Sequence, residues 1–235
     1  MDATAAQIEA GAAAPHRSAV LSLSRVSKRW AGAPSPVLSE IELNVEPGVA
    51  AAITGRNGAG KTTLLRIAAG LILPDTGDVE VTGLHLERDR RECQRRLGFL
   101  AAGNSGLYGR LKVEQHLDFW SRLSMVPRKD RARSIHDSLD RFELHELCGR
   151  RVDRLSMGQR QRLRISLAFL HEPQLVLLDE PRTSLDDEGV ELLARAVEAL
   201  TSQGGAALIC TPTGEQAGVR LDRCYAVRDG SLIAA

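Results

Sequence analysis

Apolar and polar positions along the chain follow two periods, and the places where one gives way to the other mark its elements. Val20-Leu-Ser-Leu-Ser and Ile41-Glu-Leu-Asn-Val alternate, as strands with one buried face do. Pro47-Gly48 predicts a turn into Val49-Ala-Ala-Ala-Ile53, a short buried strand. Asp78-Val-Glu-Val-Thr-Gly83 predicts another strand closing in a turn, and Leu97-Gly-Phe-Leu100 a further one. Leu64, Leu65 and Ile67 have helical spacing, and from about Val113 to Leu147 that spacing dominates. It places Val113, Leu117 and Trp120–Ser121 on one face, and Ile135, Leu139 and Phe142 on another. Leu175-Val-Leu-Leu178 is apolar at every position, which suits a central parallel strand covered on both faces. Ala207-Leu-Ile-Cys210 is a later strand of that kind, and no internal repeat interrupts the order.

Composition narrows this only modestly. A chain of 235 residues fits one large α/β domain, or a domain with a subdomain, and buries a real core. A net charge of +1 without long runs of one sign argues against a surface that coats nucleic acid. Cys93, Cys148, Cys210 and Cys224 form no C-x-x-C pair and fit a reducing cytosol. No apolar stretch approaches the roughly 20 residues that cross a bilayer. Residues 1–17 are Ala-rich, lack the basic-then-apolar order of a secretory signal, and read as a mobile tail.

Chemistry enters with Gly55-Arg-Asn57-Gly58-Ala-Gly60-Lys61-Thr62-Thr63, which follows a predicted strand and opens a predicted helix. Glycines let the backbone approach phosphate closely, successive N–H groups form an anion nest, and the helix adds its positive end. Lys61 is then placed for the β- and γ-phosphates of a nucleoside triphosphate, and the Thr62 hydroxyl for Mg²⁺. The second motif is the apolar strand ending abruptly in Asp179-Glu180-Pro181. Acids there sit at the sheet's C-terminal edge, where open α/β folds bind ligands. Asp179 suits Mg²⁺ through its water shell, and Glu180 suits a general base for the attacking water. The third motif, Leu155-Ser156-Met157-Gly158-Gln159 ahead of an Arg/Leu-rich helix, makes a helix N-terminus with free donors. Taken alone it reads first as an N-capped surface helix.

In this order the motifs resemble the nucleotide-binding domain of the ABC transporter family, from about Ser18 to the end. The Leu-Ser-x-Gly-Gln signature comes about 95 residues after the phosphate loop, and the acidic strand and Ser184-Leu185-Asp186, similar to the family's D-loop, follow it. The resemblance implies an α/β fold: a phosphate-loop core with a mainly parallel central sheet, an N-terminal antiparallel β subdomain and an inserted helical subdomain at about 104–154. It makes Trp30 the aromatic that stacks on adenine, where the plain alternative is a core tryptophan. It implies two ATP-binding subunits, of the same or a homologous chain, closing head to tail on two MgATP. Each nucleotide would lie between one phosphate loop and the other chain's Ser156, Gly158 and Gln159. It implies a separate membrane permease as partner, docked by the helical subdomain, and a place on the cytoplasmic face of the cell membrane. The stretch Gly106-Leu-Tyr108-Gly-Arg-Leu111-Lys-Val-Glu114 is similar to bacterial exporters of the polysaccharide and drug-efflux type.

Two departures from the family pattern bear on hydrolysis. The glutamine expected just after Leu97–Leu100 is missing, with Asn104 as a short substitute. The histidine expected after Thr211 is Pro212, which offers no side-chain donor and no backbone N–H. The chain therefore reads either as a slow homodimeric motor or as the degenerate, mostly ATP-binding half of a heterodimer. A regulatory subunit that senses ATP and an ABC ATPase acting on nucleic acid are further readings; nothing in the sequence favours the latter. The six histidines read as lone surface residues without metal-ligand spacing. The segments Arg88 to Arg96 and Arg128 to Arg133 read as solvated helical faces.

Overall fold

The computed structural model describes residues 19–103, 106–215 and 218–235. The expected tail and Asn104 lie outside them. The first two alternating segments form β1 (Leu21–Lys28) and β2 (Leu38–Val45), antiparallel, with Leu21 opposite Val45 and Leu23 opposite Leu43. The chain then leaves that sheet for β3 (Ala50–Gly55), the phosphate loop and α1 (Lys61–Ala68). It returns as β4 (Thr76–Val81), antiparallel to β1, and adds the short β5 (Leu84–His85), giving the order β2-β1-β4-β5.

Next come α2 (Arg90–Arg95), β6 (Leu97–Leu100), α3 (Val113–Leu123) and α4 (Arg131–Arg141). After them run α5 (Met157–Phe169), β7 (Leu175–Asp179), α6 (Asp187–Ser202), β8 (Ala206–Pro212), β9 (Arg223–Arg228) and β10 (Ser231–Ala234). The second sheet has the order β10-β9-β3-β8-β7-β6. Its ladders are parallel except β9 with β10.

A parallel sheet must be covered on both faces, and the parity of its residues shows how. Ala51, Ile53, Leu175, Leu177, Leu208 and Cys210 point into one core with α1 and the antiparallel sheet. Their alternates Ala50, Val176, Leu178, Ala207 and Ile209 point into a second core with α5 and α6. The helical segment joins that second core through Leu117, Leu139 and Phe142. Its two ends meet: Lys112 pairs with Arg151 in an isolated bridge, and the Val152 N–H donates to the Leu111 carbonyl at 3.0 Å.

Several elements went unread from sequence. The helix α6 carries its own start signal, since Asp186 accepts a hydrogen bond from the Gly189 N–H at 2.9 Å and Asp187 and Glu188 occupy the first turn. The strands β9 and β10 are short and mixed in polarity, and only pairing with β3 and with each other defines them. Of the histidines expected at the surface, His16 lies outside the described residues, and the placement is corrected at two others. His116 is fully buried, its Nε2 accepting the Tyr108 N–H at 2.8 Å, and burial lowers its pKa. His171 is largely enclosed against the Leu97 carbonyl, with its pKa lowered for the same reason.

At Gly98 the α5 backbone lies directly on β6. A Cβ there would stand 1.9 Å from the Ala168 carbonyl oxygen and 2.9 Å from its carbon. Backbone cannot rotate aside as a side chain can, so Gly98→Ala should lower the unfolding free energy by about 1–3 kcal/mol or more. Urea denaturation of the two chains checks it; an unchanged midpoint would mean that α5 does not rest on this strand.

Candidate functional site

The phosphate loop depends on Gly60. Its φ of 110° is a conformation that residues with a Cβ avoid, and a Cβ there would come 2.9 Å from the Val37 carbonyl. That close packing sets where α1 begins. The first helical residues, Lys61, Thr62 and Thr63, are those whose N–H groups have no partner within a helix. Arg56, Asn57 and Gly58 form the exposed tip. Lys61 is 5% exposed, and its ammonium donates to the Gly55 carbonyl at 2.7 Å and the Arg56 carbonyl at 3.2 Å. The loop's own backbone thus fixes the position of its cation.

The carboxylate comes from the neighbouring strand. Asp179 has the parity of Leu175 and Leu177, so it faces the same side of the sheet as α1. Beside it on β8 lies Cys210, whose thiol donates to the Lys61 carbonyl at 3.7 Å. Burial pushes that thiol well above its ordinary pKa, and the Asp179 charge raises it further. Asp179 is 1% exposed, and neither carboxylate oxygen has a hydrogen-bond partner. A buried, unpaired carboxylate is costly unless a cation accompanies it. Oxygen donors suit Mg²⁺, so the carboxylate of Asp179 and the hydroxyl of Thr62 at the helix start fit that ion.

After Asp179 the chain turns sharply. The Glu180 N–H donates to the Cys210 carbonyl at 3.0 Å, and Glu180 itself has φ 50°. It is half-buried at the strand end, where a side chain reaches both protein and water. On the other flank, Trp30 is 44% exposed. It shares a cavity of about 1250 Å³ with Gly55, Asn57, Gly58, Thr213 and Arg228. Thr213 and Arg228 were not anticipated; nothing local in the sequence ties them to the loop, and β8 and β9 bring them there. Trp30 stands at the cavity, not in the core, with the Lys28 ammonium 5.7 Å from its ring centre.

The signature residues gather elsewhere. Ser156 caps α5 by accepting the Gln159 N–H at 3.1 Å, while the Gln159 side chain accepts the Ser156 N–H at 3.1 Å. This reciprocal box is worth about 1 kcal/mol. Gly158 packs on the 184–186 loop: a Cβ there would lie 3.3 Å from the Ser184 carbonyl and 3.8 Å from the Asp186 carboxylate. Ser156, Gly158, Gln159 and Asp186 are not part of the wall of the Trp30 cavity. The structure therefore joins the signature to the Asp186 loop, and the phosphate loop to Asp179 and Trp30.

Two buried side chains, unread from sequence, tie these parts together. Gln161 donates to the Pro181 carbonyl at 2.9 Å, immediately after Glu180. Arg164 donates to the Gln161 side chain at 2.7 Å and to the Ala101 carbonyl at 2.6 Å, just past β6. At the end of β8, Pro212 lies opposite Gly55, so the residue lacking a donor borders the start of the phosphate loop.

Residues 38–183 match the family described as ABC transporter. The ABC transporter ATP-binding protein NatA of Bacillus subtilis is 31% identical over 194 residues, 83% of this chain and 79% of that protein. The cytochrome c biogenesis ATP-binding export protein CcmA of Roseobacter denitrificans is 38% identical over 75% of this chain and 77% of its own. The phosphonates import ATP-binding protein PhnC 1 of a Ruegeria species is 31% identical over 78% of this chain and 76% of its own. Among solved structures, an ATP-binding subunit of an ABC transporter superposes with TM-score 0.81 at 25% identity, covering 92% of this chain and 88% of that one.

Because Asp179 is buried without a partner, Asp179→Asn should stabilise the fold in Mg²⁺-free buffer by about 1 kcal/mol, a melting temperature about 2–4 °C higher. The variant should lose the further rise that MgATP gives the native chain. A variant less stable than the native chain without Mg²⁺ would mean that the carboxylate is satisfied by the protein.

Proposed function

The chain belongs to the ABC transporter family of ATP-binding proteins, and from that premise we propose that it binds and hydrolyses MgATP to drive a separate membrane permease. The observation that carries this reading is the unpaired Asp179 carboxylate buried on the face of the sheet that holds Lys61 and Thr62. In this reading Lys61 and the N–H groups at the start of α1 hold the β- and γ-phosphates, and Trp30 stacks on the base, worth about 1–3 kcal/mol. Thr62 and Asp179 hold Mg²⁺, which when bound neutralises charge on the phosphates. Glu180 accepts a proton from the attacking water.

The separation of Ser156, Gly158 and Gln159 from the phosphate-loop cavity supports their serving a second subunit's nucleotide. Asp186, packed against Gly158, would lie at the same seam. No helix among the described residues is long and apolar enough to cross a membrane. Attachment to the cytoplasmic face would then come through the permease. An apolar groove supports that docking: about 400 Å³, lined by Leu71, Phe99, Trp120 and Leu123, with Leu71 and Leu123 more than half exposed. Its floor lies between the central sheet and the segment at about 104–154, which we take as the helical subdomain within an ATP-binding domain of residues 18–235. Export is the direction we favour, on the text from Gly106 to Glu114, although relatives are named for both export and import.

Pro212 beside Gly55 supports a second reading, in which this chain is the mostly ATP-binding half of a heterodimer or an ATP-sensing subunit. A lost contact to transition-state charge costs roughly 3–4 kcal/mol, two to three orders of magnitude in rate. Steady-state MgATP hydrolysis by the purified chain separates the two. We expect slow turnover that falls at least about 100-fold in Glu180→Gln and is lost in Lys61→Ala, while Glu180→Gln keeps its ATP affinity. Pro212→His should speed turnover. Tight ATP binding with no turnover that depends on Glu180 would overturn the motor in favour of the degenerate half.

A further inference from the structure

Away from the nucleotide, three side chains converge on the outer surface of the helical segment. His136 and Asp140 are one helical turn apart on α4, and the His136 Nδ1 lies 2.8 Å from an Asp140 carboxylate oxygen. The chain then reverses through Phe142 and Leu144, both buried, into a 3₁₀ turn at His145–Leu147. That reversal brings the His145 Nε2 to 2.5 Å from the other oxygen of the same carboxylate. The two imidazoles meet edge to face, with ring centres 5.5 Å apart. One ligand atom from each residue lies within 4.8 Å of the others, and all three residues are exposed.

We propose that His136, Asp140 and His145 form a binding site for a divalent transition-metal ion of the Zn²⁺ class. An i,i+4 pair of imidazole and carboxylate alone would be an ordinary surface contact, worth a few tenths of a kcal/mol. The third ligand changes this, because it comes from a separate turn anchored by the core and converges without ordering a loop. Two imidazole nitrogens with one carboxylate oxygen match zinc and its first-row neighbours and disfavour Mg²⁺ and Ca²⁺, which take oxygen. Zinc bonds of about 2.0–2.2 Å need the three ligand atoms to settle around one centre. Exposed side chains make that adjustment at small cost, and they leave an open path of entry and remaining positions for water. A bound ion would tie the last turn of α4 to the chain that leads on to Ser156.

The sequence conceals this site, since eight residues separate the two histidines and no familiar ligand motif has that spacing. His85 with Asp78, at 2.9 Å, makes a two-residue comparison lacking a third ligand. The test is Zn²⁺ titration of the full, tag-free chain by calorimetry at pH 7.5 with excess Mg²⁺ present. One strong site per chain is expected. It should weaken about tenfold or more in both His136→Ala and His145→Ala and stay unchanged in His85→Ala. Co²⁺ loaded on the native chain should give weak visible bands without thiolate charge transfer, and these should vanish in His145→Ala. Absence of a strong site, affinity unchanged in either histidine variant, or loss of binding in Cys148→Ser with a thiolate band would each overturn the proposal.

Discussion

A parallel sheet covered on both faces has no place for charge along its strands, so charge collects at their ends. Here β3, β7 and β8 run side by side with every interior position but the half-buried Thr54 fully buried, and all three finish at one edge. Gly55 closes β3, Asp179 closes β7 and Pro212 closes β8. Parity decides the remainder. Asp179 must face the side of Leu175 and Leu177, which is the side that α1 occupies, and so the carboxylate and the phosphate loop share one face. The site needs no dedicated scaffold beyond this, because the rule that keeps the core apolar also concentrates the polar groups.

The same rule explains which elements are legible in the sequence. Strands buried on both faces announce themselves as unbroken apolar runs, and β7 and β8 were legible for that reason. The phosphate loop was legible because a tight anion nest demands glycine, and Gly60, pressed against the Val37 carbonyl, shows the demand physically. Elements whose character depends on partners were not legible. The strand β9 alternates only weakly and becomes a strand by pairing with β3. Long-range meetings were hidden as well: Thr213 and Arg228 reach the Trp30 cavity, and His145 reaches Asp140, only through the fold. The helix α6 was overlooked despite a clear signal, an Asp cap followed by two acids ahead of an apolar period.

The family's pattern and this chain part company at the edge of β8. Thr211 is buried and keeps its place in the ladder opposite Thr54, and Pro212 follows opposite Gly55. A proline is tolerated there because it ends the strand, so the fold loses little. Chemistry loses more, since neither a side chain nor a backbone N–H can meet an anion at that point. The fold therefore accepts, beside the start of the phosphate loop, a residue that offers no hydrogen-bond donor.

The network around Arg164 shows how distant parts of the site are mechanically joined. Arg164 is 6% exposed, and burial lowers its pKa. A guanidinium taken out of water persists only where strong acceptors replace the solvent. Its acceptors include the Ala101 carbonyl and the Gln161 side chain, and Gln161 in turn holds the Pro181 carbonyl. Hydrogen bonds to a charged group contribute about 1.5–3 kcal/mol each, so Arg164 is the stiffest part of this chain of contacts. Ala101 and Arg164 also form part of the wall of the apolar groove, while Pro181 directly follows Glu180. A displacement of Ala101 therefore either breaks one of these hydrogen bonds or is passed on to the backbone beside Glu180.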